Sequence, residues 1–154
     1  MRSLPEKAIL APEIPRDVFT SAFRDNFELR YEGISFPELS MGQQELLINL
    51  IHEYVGNVRQ GHAEVKMEEV RQHLDQTHFA WMGGFDDRSV FYYRIHSPVV
   101  LIEFDHQRGQ ALESDGPSRN HIHTVIRTPN GNDYGRDLLR QHYEQSAHSH
   151  AHFH

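Results

Sequence analysis

At Gln76 the spacing of apolar residues changes from a helical period to alternation, and that change restricts the folds open to this chain more than any other feature. Before it, Leu47, Leu50, Ile51, Tyr54 and Val58 recur on one helical face, and Met67, Val70 and Leu74 do so again beyond Gly61. Ser40, with Gln43 three residues on, has capping-box spacing and marks the first helix start. The two runs predict a helical hairpin, its second member over residues 63–76 with acidic residues outward. After Gln76, residues 78–82, 90–96, 99–104 and 121–127 are rich in aromatic and β-branched side chains and read as strands. Gly83-Gly84 with Asp86-Asp87, then Ser97-Pro98, then a longer polar loop at 107–119 separate them. Short links between consecutive strands favour an antiparallel meander.

The flanks are less regular. Residues 1–15 carry three prolines and read as an irregular lead-in, 16–29 as a short helix with Val18, Phe19, Ala22, Phe23 and Phe27 inward, and 31–37 as an extended crossing. Turn formers fill 128–135, and 136–145 reads as a last helix with Leu138, Leu139 and either His142 or Tyr143 facing the sheet. The expected fold is α+β: a mainly antiparallel sheet of about four strands, with the hairpin and a C-terminal helix packed on one face. Residues 16–145 would form this single domain, followed by a His-rich tail at 146–154.

Composition narrows the function. A net charge of −7 lacks the broad positive field of non-specific nucleic-acid binding, so no nucleic-acid partner is expected. The absence of cysteine removes disulfides, thiolate metal sites and cysteine nucleophiles together. No apolar run approaches the ~20 residues of a membrane span, and residues 1–15 lack a signal-peptide core, so the expectation is a soluble, cytoplasmic chain with no membrane partner. Of the thirteen histidines, His148, His150, His152 and His154 belong to the tail, an adventitious metal binder.

Strand alternation decides which of the other ionisable groups meet. In 91–96 it sets Phe91, Tyr93 and Ile95 against Tyr92, Arg94 and His96; in 99–105, Val100, Ile102 and Phe104 against Leu101, Glu103 and Asp105. In 121–127 it sets Ile122, Thr124 and Ile126 against His121, His123, Val125 and Arg127. With the apolar sets on the helices, Arg94, His96, Glu103, His121, His123 and Arg127 share one surface.

Two chemistries fit that surface. His121 and His123 present neighbouring imidazoles for a divalent transition metal (zinc, iron or copper), with Glu103 or His96 completing the ligands and a position left open. Alternatively, Arg94 and Arg127 grip a carboxylate or phosphate while histidines such as His96 act as general acid and base without metal. The plainer readings are a solvated strand face for His121 and His123, and a salt bridge between Arg127 and Glu103. Asn130, Asp133 and Tyr134 lie in a turn-rich loop suited to anion contact, and His142 follows on a helix that either packs or reaches the site.

Thr77-His-Phe-Ala-Trp-Met-Gly-Gly84, Phe91-Tyr-Tyr-Arg-Ile-His-Ser-Pro98, Val100-Leu-Ile-Glu-Phe-Asp-His106, Asn120-His-Ile-His-Thr-Val-Ile-Arg-Thr-Pro-Asn-Gly-Asn-Asp-Tyr-Gly135 and Leu138-Leu-Arg-Gln-His-Tyr143 resemble the C-terminal part of the DUF3500 family, a domain of unknown function. The resemblance covers most of the chain and implies a shared site without naming a reaction. It implies longer members with a further N-terminal region, so that this chain is either a short member or a fragment; a fragment would show an apolar face or unpaired edge strand, covered by that region or by a second copy in a homo-oligomer. The expected function is a metal-dependent hydrolase or oxidoreductase acting on a small anionic substrate. The alternative is a non-catalytic ligand-binding or interaction module, or a fragment of a longer member.

Overall fold

The structure is a computed structural model describing residues 4–21, 29–109 and 116–129. The helix start at Ser40 is formed: the Gln43 side-chain oxygen accepts from the Ser40 amide at 3.0 Å and from its hydroxyl at 2.9 Å. From it runs α1 (Met41–Val55), which buries Leu47, Ile51 and Val55. After a short turn α2 (Gln60–Gln72) buries Ala63, Met67 and Val70. Val58, expected on the inner face of the first helix, lies in that turn and is exposed, because the helix stops at Gly56.

Six strands make one sheet: β1 (Ile9–Ala11), β2 (Ile34–Ser35), β3 (His78–Gly83), β4 (Phe91–His96), β5 (Leu101–Arg108) and β6 (Pro117–Arg127). The last four form the antiparallel meander read from the sequence. One edge of β3 carries β4, and the other is shared by β1, parallel to Trp81 and Met82, and β2, antiparallel to His78 and Phe79. Among the described residues the number of strands is therefore six rather than about four. The two additions are three and two residues long, too short for alternation to register.

Other expectations also shift. Residues 107–119 are not simply a loop, since β5 runs on to Arg108 and pairs it with Pro117; backbone pairing continues past the apolar pattern. Residues 16–21 are bends and turns rather than the start of a helix. The amides of Phe19 and Thr20 donate to the Glu103 carboxylate instead of to helix carbonyls. The C-terminal helix at 136–145, the loop residues Asn130, Asp133 and Tyr134, His142 and the tail lie outside the described residues.

The helices cover one sheet face. Leu47, Ile51, Val55, Met67 and Val70 pack with Tyr93, Ile95, Val99, Val100 and Ile102, and Phe79, Trp81, Phe91 and Phe104 extend the cluster. At ~25 cal/mol per Å2 of apolar surface removed from water, this layer is the main source of stability. The opposite face carries Tyr92, Arg94, His96, Glu103 and Asp105, all at most 1% exposed. No helix among the described residues is long and apolar enough to cross a membrane.

Candidate functional site

Glu103 organises the polar face. Its carboxylate accepts from the Phe19 amide at 2.6 Å, the Thr20 amide at 3.0 Å, the Thr20 hydroxyl and the Tyr92 hydroxyl at 2.8 Å. Arg127 donates to the Thr20 carbonyl at 2.6 Å. Glu103 and Arg127 thus clasp Thr20 from opposite sides and fasten residues 17–20 across the sheet. Burial, then the Glu103 charge, pushes the Tyr92 phenol up, so it stays a proton donor.

Beside this clasp lie Arg94 and His96. Arg94 stands opposite Glu103 in the register, yet its ion pair is with Glu32, 2.6 Å from Nη2. Its guanidinium lies 5.3 Å from the centre of the Phe19 ring, which meets Tyr92 edge-on. Among the described residues Nε and Nη1 of Arg94 are buried without a well-formed hydrogen bond, the Tyr92 hydroxyl lying near the guanidinium, and the ring nitrogens of His96 are buried likewise, beside the Arg30 backbone. Tyr31 stacks on His96 with ring centres 4.2 Å apart. Burial, reinforced by the neighbouring guanidinium, pushes the His96 imidazole down to about 4, so at neutral pH it is uncharged, offering one donor and one acceptor.

Gly33 sets the path of this neighbourhood. Its φ is +90°, and a Cβ there would fall 2.1 Å from the Phe79 carbonyl oxygen, so the chain carrying Tyr31 and Glu32 lies directly against β3.

The histidine pair lies elsewhere. His123 faces Asp105 in the register, whereas His96 faces Leu101, four residues away and about 13 Å along the strand. Glu103 faces Val125, not the pair. The Nε2 atoms of His121 and His123 are 3.0 Å apart, and Nδ1 of His121 is held 2.7 Å from the Arg108 carbonyl oxygen. Among the described residues no three His, Asp or Glu side chains gather as a metal group. Asp105 keeps Oδ1 without a partner among the described residues and shares the Gln107 amide with Asp17. Burial, against that one hydrogen bond and with Asp17 and Glu103 nearby, raises Asp105 to about 6.

Alternation thus places every predicted strand residue on the expected face, but register spreads them along it: His96 and Arg127 in one row, Arg94 and Glu103 in the middle, and His123 two residues beyond, with His121 further still. Sequence reasoning misses Thr20, Tyr31 and Glu32, which alternation within the strands does not reveal. It also leaves His106 as a residue either of the surface or of the surroundings of the site. His106 is 2% exposed and packs edge-on against Phe91 and Phe104, where the Ile102–Phe104 alternation, carried two residues further, would have put it.

Fold and site together define a small α+β protein whose sheet is roofed by helices on one side and carries a buried ionisable cluster on the other. The chain belongs to the DUF3500 family, described as proteins of unknown function, whose family model matches residues 1–136. Neither a curated protein nor a solved structure gives a match.

Proposed function

We propose that the polar face binds a small anionic molecule, with Arg94 as its anchor. The observation that carries this is Arg94 itself, 1% exposed with Nε and Nη1 unsatisfied among the described residues. Buried polar groups in folded proteins are almost always paired, so two idle donors of a buried guanidinium are a place for an acceptor from outside the chain. A planar fork suits carboxylate or phosphate. Uncharged His96 adds a donor and an acceptor without a second positive charge, and Arg127, in the same register row as His96, supplies a further cation. In an enzymatic version of this reading, His96 passes the proton and the protonated Tyr92 phenol supports it.

The test is calorimetric titration of acetate and inorganic phosphate into wild type, Arg94→Lys and Arg94→Met. A loss of about tenfold or more in Arg94→Met, with Arg94→Lys in between, is expected from losing charge-assisted hydrogen bonds. Unchanged affinity in a folded Arg94→Met would remove the proposal.

One observation favours a metal-dependent version. His121 is oriented by the Arg108 carbonyl, as metal-bound imidazoles commonly are, and its Nε2 is directed at that of His123. A divalent transition ion (zinc, iron or copper) held there would activate water for hydrolysis or support oxidation. The check is metal content in a full-length variant with His148, His150, His152 and His154 replaced by Ala. Metal that stays in that variant and is lost on adding His121→Ala and His123→Ala supports it.

A further inference from the structure

The ion pair between Glu32 and Arg94 joins two very unlike groups. Arg94 is buried, at 1% exposed, whereas the Glu32 side chain is 47% exposed. The carboxylate touches a single guanidinium nitrogen, and among the described residues it makes no other hydrogen bond. Glu32 is thus the solvent-facing partner of a buried guanidinium. The backbone on one side of it is fixed, because Gly33 lies against the Phe79 carbonyl and Tyr31 is stacked on His96. Among the described residues a swing of the Glu32 side chain frees the Nη2 end of the guanidinium.

We propose that Glu32 is a built-in stand-in for the ligand: its carboxylate on Nη2 neutralises Arg94 while the site is empty, and a ligand carboxylate that engages the guanidinium through its idle donors takes over that role and displaces it. The inference rests on the anion-site reading above and adds to it the ligand class, a carboxylic acid, and a means of restraint. An internal carboxylate at a high local concentration lowers the apparent affinity for any weak competitor. It also keeps the Arg94 charge compensated while the site is empty.

The experiment compares acetate binding by wild type, Glu32→Gln, Glu32→Asp and Glu32→Gln/Arg94→Met. Titrations are followed by NMR at constant ionic strength set with chloride, with inorganic phosphate as a second probe. Removing a partly exposed ion-pair partner is expected to tighten acetate binding about fivefold. Glu32→Asp, whose shorter side chain falls back from Arg94, should lie between wild type and Glu32→Gln, and it carries the test if Glu32→Gln does not fold. The double variant should lose the gain. Equal acetate affinity in wild type and Glu32→Gln, still dependent on Arg94, would overturn the displacement while leaving the anion site standing. A gain for phosphate but not acetate would overturn the ligand class. Acetate binding that ignores Arg94, or is absent throughout, would overturn both this inference and the anion site.

Discussion

β4 and β6 carry similar patterns, each alternating apolar residues with arginine and histidine, yet they end in opposite environments. β4 lies between β3 and β5, and Tyr92 to His96 are all buried; β6 is the outer strand of the path, and none of its residues is buried. Neighbouring strands and the fastened segment at 17–20 take the β4 side chains out of water, whereas Ile122 and Ile126 of β6 remain 46% and 48% exposed. The difference teaches that position in the sheet, not local pattern, decides whether an ionisable side chain is a perturbed group or a solvated one.

The sharpest way to break this contrast is Glu103→Ala. It leaves the Thr20 and Tyr92 donors without their buried acceptor, and a cost of about 3–5 kcal/mol in urea unfolding is expected. Protease cleavage near residues 16–21 should become faster. Arg94→Met should differ in sign. It removes buried donors that are unsatisfied among the described residues and leaves the half-exposed Glu32 unpaired, so stability is expected to stay level or rise by about 1 kcal/mol while anion binding falls.

Acid titration sharpens the same contrast through two groups that act oppositely. Asp105, raised from 3.8 to about 6, binds its proton more readily folded than unfolded; its stabilisation is present below pH 3.8 and lost as pH rises through about 6. Asp105→Asn should therefore gain on the order of 1 kcal/mol at pH 7 over wild type and lose that advantage below pH 4. His96, lowered from 6.5 to about 4, does the reverse: its contribution is present above pH 6.5 and lost as pH falls towards 4. His96→Phe should flatten the decline across that window, measured by unfolding at a series of pH values. The smallest effect belongs to β6: His121→Ala with His123→Ala should change unfolding free energy by no more than about 0.5 kcal/mol. A larger loss would mean that side chains on the outer strand contribute to stability as those on the central strand do.

Much of this was legible in the sequence. The helical hairpin could be read because Ser40–Gln43 and the Leu47–Ile51–Val55 spacing are local signals, and the two sheet faces because alternation is local too. What stayed hidden is whatever depends on distant chain. Alternation offers Glu103 as a metal ligand, but its partners lie 83 and 84 residues upstream, and nothing near either end of that contact announces the other. Glu32 and Arg94 are 62 residues apart, and their pairing is hidden for the same reason. Register along the meander, not face, separated His96 from His123, and alternation alone carries no register.

The long reach of the Glu103 clasp has a kinetic consequence. The hairpin and the meander join residues near one another in the chain, so they close at little entropic cost, whereas Phe19 and Thr20 must find a carboxylate across most of the polypeptide. That clasp should be the last contact made during refolding and the first released in native-state fluctuation. The Phe19 and Thr20 amides should then exchange with deuterium well before those of β4, and a refolding chain should acquire its helices before it gains affinity for any anion.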